Sequence, residues 1–168
     1  MIGFVEQAVL VELSRAEIAR RRLPNIWQGE FTRDLVCVSA IAGTFTIPSG
    51  FVTDGASIPP LLCNILSDTS PDILYPSFAH DLLYSVHGKL PQTTLSRDQC
   101  DNVIREQMKA IGAPAWKYDA VYRALHIFGG VAWGHHTPAH KLIATKTYGP
   151  HVLSVAKPFG RNPFRNPR

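Results

Sequence analysis

Three short polar motifs carry the residues of this chain that could do chemistry. They are Phe51-Val52-Thr53-Asp54-Gly55-Ala56-Ser57-Ile58-Pro59, then Ala79-His80-Asp81-Leu82-Leu83-Tyr84, and then Ser96-Arg97-Asp98-Gln99-Cys100-Asp101. A histidine and two carboxylates that come together can form a general base, the group that orients it, and a cation ligand. The same groups can also form a buried hydrogen-bonded contact that has only a structural role. Whether these groups form a catalytic site or only a structural contact depends on the helices and the loop that position them.

His80 and Asp81 are neighbours on a predicted helix and must therefore serve different partners. Successive residues of an α-helix point about 100° apart, so that His80 shares a face with Tyr84 and Asp81 points elsewhere. Asp101 lies beside the apolar stripe of the next predicted helix, where an unpaired carboxylate would be costly. If the two helices pack antiparallel, His80 is the expected partner of Asp101.

A His80–Asp101 pair would have the chemistry of a hydrolytic general base, because the carboxylate fixes the imidazole tautomer and raises its basicity. Asp81 could then bind a hard cation together with backbone carbonyls or Asp54. Calcium suits such oxygen ligands better than zinc does. The alternative is structural: the His–Asp pair only fixes the register of two helices, and Thr53-Asp54-Gly55 is only an Asx-type turn.

The first half of the chain is predicted to contain most of the strands. β-branched and aromatic residues predict a hairpin with strands at 34–41 and 44–47. A short strand at 9–13 and a helix at 14–22 precede it. Residues 51–60 are predicted to form a structured loop, because their prolines forbid regular pairing.

The second half is predicted to be helical. Apolar spacing predicts an amphipathic helix over 75–86. A capping box at Ser96 begins a second helix that ends at Gly112, and a third starts at Pro114 and weakens at Gly129. The second helix has a predicted apolar stripe at Cys100, Val103, Ile104, Met108 and Ile111. The aromatic residues predicted to pack in the core or against other helices are Trp116, Tyr118, Tyr122 and Trp133.

The fold class predicted from these elements is α+β. A small N-terminal antiparallel β element is followed by an antiparallel core of about three helices and an extended C-terminal arm. The 168 residues, 45% of them hydrophobic, suffice for one core. We therefore predict one globular domain over residues 1–136 and a basic, proline-rich arm over residues 137–168.

The charge of the chain is concentrated in this predicted arm. Residues 137–168 hold six Lys and Arg residues and no acid; removing those six positive charges from the net charge of +4 leaves −2 on residues 1–136. This distribution argues against a fold with a broad nucleic-acid-binding face. The three cysteines form no C-x-x-C pair and are interpreted as small buried hydrophobes. No secretory signal or membrane-spanning segment is predicted, which is typical of a soluble protein made in a cytoplasm.

The order of the three motifs resembles a family of unknown function that is widespread in tailed phages and prophages. The resemblance covers about residues 31–134 and rests on the segments 47–59 and 80–84, followed by Ser96-Arg97 and Asp101. It implies a phage origin, in a family whose genes often lie among tail or lysis genes.

A looser similarity connects the same residues to the phospholipase A2 superfamily. In that superfamily a helix carrying H-D-x-x-Y faces an antiparallel helix carrying an aspartate, and the matching positions here are His80, Asp81, Tyr84 and Asp101. The similarity implies that His80 activates water, Asp81 binds calcium and Asp101 supports His80. The cysteines that flank H-D in the secreted enzymes are absent here.

Two hypotheses follow. In the first, the chain is a virion or morphogenesis protein of a tailed phage, such as a tail, neck or baseplate component. Its arm would bind other phage structural proteins or further copies of the chain, with no specific nucleic acid, and it would be made in the host cytoplasm. In the second, it is a metal-assisted hydrolase of a lipid or cell-envelope ester used in infection or lysis. The catalytic residues would be His80, Asp101 and Tyr84, and the metal ligands would be Asp81 and Asp54.

Overall fold

The computed structural model describes seven parts of the chain: residues 2–4, 10–12, 14–16, 29–53, 70–133, 135–136 and 157–158. Asp54 and most of the predicted arm lie outside these residues. Ten strands are present within them. They are β1 (Gly3–Phe4), β2 (Leu10–Glu12), β3 (Gly29–Phe31), β4 (Leu35–Ser39), β5 (Gly43–Ile47), β6 (Val52–Thr53), β7 (Lys89–Leu90), β8 (Thr93–Thr94), β9 (His135–His136) and β10 (Lys157–Pro158).

Two three-stranded antiparallel sheets form most of the β part of the described chain, and β7 with β8 and β9 with β10 form two-stranded pairs. The first has the order β1-β4-β5, and its β4–β5 hairpin pairs Leu35 with Ile47 and Ser39 with Gly43. The second has the order β2-β3-β6. On β4 the alternate residues Leu35, Cys37 and Ser39 are buried, as expected for a hairpin with one face on the core. The predicted hairpin is therefore confirmed.

Three helices follow the sheets in the described chain: α1 (Pro71–Ser85), α2 (Arg97–Ala110) and α3 (Ala115–Trp133). The predicted capping box begins α2: Ser96 Oγ accepts from the Gln99 amide, and the Gln99 side chain accepts from the Ser96 amide. Gly88 lies just beyond the end of α1 at a φ of +66°, where a Cβ would overlap the carbonyl oxygen of Leu95. Only glycine fits this position.

Consecutive helices run antiparallel. The last turns of α1 face the first turns of α2, because His80 and Tyr84 both contact Asp101. Arg105 on α2 forms an ion pair with Asp119 near the start of α3. The prediction of an α+β fold with an antiparallel helical core is confirmed.

The hydrophobic core lies between the first sheet and the helices. Phe31 meets Phe78 of α1 edge-on, with ring centroids 5.2 Å apart. Cys37 and Cys100 are both buried in this core, and burial raises the pKa of the Cys100 thiol to about 12. They act as small hydrophobes, as predicted, while Cys63 lies outside the described residues. No helix of the described chain is long and apolar enough to cross a membrane.

The structure corrects several sequence expectations. Val52 and Thr53 pair with β3 and so belong to a strand, not to the predicted loop. α1 begins at Pro71, four residues earlier than expected, because proline is well suited to a first helical position. α3 continues through Gly129 to Trp133, since packing against the other helices outweighs the low helix propensity of glycine.

Burial differs from the expected pattern at four other positions. Ile111 is exposed, and Gln107 takes its place on the inner side of α2. Asp101 is completely buried and not at the edge of the stripe. Trp116, which was predicted to pack in the core or against other helices, is exposed.

An ion pair joins the first turns of α1 and α3. Lys117 Nζ donates to both carboxylate oxygens of Asp72, at 2.7 and 2.8 Å, and to Ser70 Oγ at 2.8 Å. Burial tends to raise the pKa of Asp72, but the hydrogen bonds from Lys117 and Ser70 outweigh it and hold this pKa below its ordinary value. A lowered carboxylate pKa stabilises the folded state above the pKa of the unfolded chain, about 4 for aspartate, and that contribution disappears as the pH falls through the folded pKa.

Asp72→Asn is expected to lower the free energy of unfolding by roughly 1 kcal/mol at neutral pH, and the difference from wild type should begin to shrink near pH 4 and disappear below the lowered pKa of folded Asp72. Urea unfolding between pH 2 and pH 8 measures it. Asp119→Asn is the control, since Asp119 belongs to a more exposed ion pair and should change stability by about 0.5 kcal/mol or less. A pH-independent effect of Asp72→Asn would contradict the assignment.

Gln107 is a buried amide whose nitrogen and oxygen both make no hydrogen bond within the described chain. Leaving a buried polar group unsatisfied costs about 1–3 kcal/mol. Gln107→Met, which keeps the length of the side chain, is therefore expected to raise the free energy of unfolding by roughly 1 kcal/mol. Urea unfolding tests this, with Gln92→Met as the control, because Gln92 Nε2 donates to Ala42 O and Thr44 O and its loss should destabilise. A stability loss in Gln107→Met would contradict the prediction.

Candidate functional site

The polar centre of the molecule is a carboxylate enclosed by the helices. Asp101 has no exposed surface, and its Oδ1 lies 3.1 Å from Nε2 of His80. This contact joins α1 to α2 as the sequence predicted. Because an ionised carboxylate only accepts hydrogen bonds, Nε2 carries the hydrogen of the imidazole and Nδ1 keeps its lone pair.

The second ring nitrogen of His80 decides what the pair can do. Nδ1 makes no hydrogen bond to any described residue, and 8% of the His80 side chain reaches solvent. In a purely structural contact, both nitrogens of a buried imidazole are expected to form hydrogen bonds. A general base needs the arrangement found here, with one nitrogen held by a carboxylate and the other available to a proton.

Tyr84 supports the same carboxylate from one turn further along α1. Its hydroxyl donates to Asp101 Oδ1 at 2.5 Å, and its ring lies 4.0 Å from the His80 ring between centroids. Burial, followed by the hydrogen bond to Asp101, raises the pKa of the Tyr84 phenol far above its ordinary value. Tyr84 therefore remains a hydrogen-bond donor and positions Asp101; it does not supply an anion.

Arg97 holds the other oxygen of the carboxylate and links it to α3. Its Nη1 lies 3.5 Å from Asp101 Oδ2 and donates to the carbonyl of Leu125 at 3.1 Å. Its Nη2 donates to the carbonyl of His126, also at 3.1 Å. The guanidinium thus brings a positive charge to the buried carboxylate while three hydrogen bonds fix its position. Sequence reasoning gave Arg97 no role, although its spacing of four residues from Asp101 was the available signal.

The approach of α3 to this centre depends on Gly129. A Cβ at this position would lie 2.5 Å from the Tyr84 hydroxyl and 3.3 Å from Arg97 Nη1. Trp133, one turn further on, meets the Tyr84 ring edge-on at 5.0 Å. The glycine that was predicted to weaken the helix therefore lets the helix backbone pack against the polar centre.

The first motif meets the second at a contact between Thr53 and Asp81. The hydroxyl of Thr53 on β6, which has no exposed surface, donates to Asp81 Oδ2. Asp81 points away from Asp101 and is partly exposed. This contact ties β6 to α1.

The residues suggested for a metal give only part of a calcium site. Calcium takes six to eight oxygen ligands. The described chain has no group of three or more His, Cys, Asp or Glu side chains that could hold a metal ion. The described part of the predicted site therefore supplies one carboxylate, from Asp81, and Asp54 lies outside it. Calcium binding by Asp81 and Asp54 stays a prediction.

A second His–Asp pair lies on the surface and joins α2 to α3. His126 Nδ1 is 3.3 Å from Asp98 Oδ1, and Tyr122 donates to the same oxygen at 2.9 Å. About half of each partner's side chain is exposed. This pair has the same residue types as the buried one but lies largely in solvent, which makes it a matched control for the buried pair.

The site lies within a segment that matches a known family. Residues 30–125, more than half of the chain, match the family described as "Protein of unknown function (DUF1353)". The chain belongs to the DUF1353 family. Searches of curated proteins and of solved structures found no match. The DUF1353 segment contains these site residues: Thr53, His80, Asp81, Tyr84, Arg97 and Asp101.

Membership in DUF1353 confirms the expectation of a family without an assigned activity. Within the DUF1353 segment, the sequence predicted the convergence of His80, Tyr84 and Asp101, and the structure places all three in contact. Gly129 and Trp133, which the sequence did not connect with the site, lie beyond the matched segment.

Proposed function

We propose that this protein is a hydrolase of a carboxylic ester in a lipid or in the cell envelope, with His80 as the general base. The observation that carries the proposal is the unequal use of the two imidazole nitrogens. Nε2 is bound to the buried Asp101, and Nδ1 has no partner in the described chain. A base held in this way has a defined tautomer and one lone pair for a substrate proton.

The proposed reaction uses water as the nucleophile. His80 Nδ1 takes a proton from a water molecule as the water oxygen bonds to the carbonyl carbon. The resulting oxyanion collapses, the bond from carbon to the leaving alcohol oxygen breaks, and the proton passes from Nδ1 to that oxygen. Asp101 stabilises the transient imidazolium, and Tyr84 and Arg97 keep Asp101 in position.

Hydrolysis of a panel of esters by the full chain tests this proposal. The panel should run from short acyl esters of chromogenic alcohols to diacyl phospholipids, with and without calcium. We expect turnover of at least one class of ester, and loss of that turnover when the basic nitrogen of His80 is removed. A rate equal to that of the His80→Gln variant on every substrate would count against the hydrolase.

A second proposal places the protein in or on a tailed-phage particle. It is favoured by the resemblance of the ordered motifs to a phage-associated family and by the basic, proline-rich segment 137–168, which could bind neighbouring structural proteins or further copies of the chain. A particle protein can also carry a hydrolytic site.

Mass spectrometry of purified particles tests the second proposal. We expect the chain in particles from the phage or prophage that encodes it, and its loss from particles when residues 137–168 are deleted. Normal incorporation of the truncated chain would exclude the role of the arm, and absence of the full chain from particles would exclude the location.

A further inference from the structure

α3 is apolar on the side that faces solvent as well as on the side that faces the core. Val121, Ala124 and Gly129 are buried against the other helices. On the other side, Ile127 is 68% exposed and Trp116 is 56% exposed. A helix on the surface of a globular protein normally carries polar residues there. Large exposed apolar residues that lie side by side mark a surface for interaction.

Four exposed residues and the partly buried Ala120 form one continuous stripe along the helix. Their spacing of four, three, four and four residues keeps them within an arc of about 80° and spans about 22 Å. We call this stripe the outer face; its members are Trp116, Ala120, Arg123, Ile127 and Val131. Phe128, which is 42% exposed, extends the apolar surface to one side of it.

The stretch of sequence that contains and follows most of the outer face carries only positive charge. Arg123 is its only charged member. Asp119, which flanks it, is held by an ion pair with Arg105. Beyond Asp119 the remaining 49 residues contain no Asp or Glu. They contain seven basic residues: Arg123, Lys141, Lys146, Lys157, Arg161, Arg165 and Arg168.

We propose that the outer face binds the surface of a phospholipid bilayer that carries negative charge. Apolar side chains with an indole at one end can enter the boundary between headgroups and acyl chains, and an arginine among them can extend to a headgroup phosphate. The basic residues that follow α3 in the sequence add attraction to anionic lipids, about 1 kcal/mol for each one that reaches the surface. This inference does not depend on the proposed hydrolase.

Two other partners fit the outer face less well. In a two-fold dimer of antiparallel α3 helices, Arg123 lies at the centre of the stripe and would face its own copy, which places like charges together. A single-stranded nucleic acid would need aromatic rings in succession, whereas Ala120, Ile127 and Val131 offer no plane for a base to stack on.

Co-sedimentation of the full chain with vesicles tests the proposal. The vesicles are equimolar phosphatidylglycerol and phosphatidylcholine, compared with pure phosphatidylcholine. We expect binding to the anionic vesicles that weakens with salt, and a roughly tenfold or greater loss of binding in the double variant Ile127→Ser, Val131→Ser. Both positions are exposed, so circular dichroism should show an intact fold.

The matched control is the double variant Ile2→Ser, Val11→Ser, which removes two exposed apolar side chains of the β part. It should bind like wild type. Equal binding by the outer-face variant and wild type would overturn the proposal, as would equal binding to neutral vesicles. Two other outcomes would also overturn the proposal. In the first, sedimentation velocity shows that the wild-type protein is a dimer and the outer-face variant is not, while neither protein binds lipid. In the second, the outer-face variant loses affinity for single-stranded DNA but keeps its affinity for vesicles.

Discussion

Replacing His80 by glutamine is expected to lower the rate of ester hydrolysis by roughly 10²- to 10⁴-fold, the range that a positioned general base contributes. Glutamine can still donate a hydrogen bond to Asp101, so it preserves the contact between α1 and α2. It has no basic nitrogen at the position of Nδ1. The loss should therefore appear in kcat, while substrate binding and thermal unfolding change little.

The control for this experiment is His126→Gln. His126 also pairs with an aspartate, but more than half of its side chain is exposed. Its replacement should leave the hydrolysis rate within about twofold of wild type, since an exposed pair gives little stabilisation or orientation. Equal losses in the two variants, or an unchanged rate in His80→Gln, would remove His80 from the mechanism.

Asp101→Ala is expected to lower the free energy of unfolding by roughly 3–5 kcal/mol, the usual cost of removing one partner from a buried charged pair. The substitution leaves the Tyr84 hydroxyl and the His80 Nε2 hydrogen without their acceptor. It also leaves the Arg97 charge, on a side chain that is only 26% exposed, without a counter-ion. Urea denaturation followed by circular dichroism measures the change.

Two further variants make the stability result specific. Asp98→Ala, on the same helix but half exposed, should cost about 1 kcal/mol or less. Asp101→Asn keeps the shape of the side chain and one acceptor oxygen, so its cost should lie between those of wild type and Asp101→Ala. A loss below about 1 kcal/mol in Asp101→Ala would mean that Asp101 does not hold the three helices together.

Local patterns were sufficient where short-range physics decides the outcome. The hairpin followed from alternating β-branched residues, and the start of α2 followed from the reciprocal hydrogen bonds of Ser96 and Gln99. The His80–Asp101 pair also followed, because two helices joined by a short connection pack antiparallel and a carboxylate on an apolar face requires a partner.

Local patterns were insufficient where distant segments compete. Val52 and Thr53 have the composition of a loop beside prolines, yet β3 offers them a pairing edge that the sequence does not reveal. Gly129 reduces helix propensity by about 1 kcal/mol, but its missing side chain makes room for Tyr84 and Arg97. The stabilisation from packing at Gly129 depends on Tyr84 and Arg97, which lie more than 30 residues away in the sequence.

The sequence by itself determined the β4–β5 hairpin, the approximate positions of the three helices, the α+β class, and the histidine and carboxylate that meet at the polar centre. Periodicity, caps and the cost of an unpaired charge act over one or two helical turns, and all of them can be read from neighbouring residues. Only the tertiary structure decided that Arg97 and α3 complete this centre, that Thr53 holds Asp81, and that Nδ1 of His80 has no partner in the described chain. These features depend on how three helices and a strand approach one another, which is set by packing across the whole core.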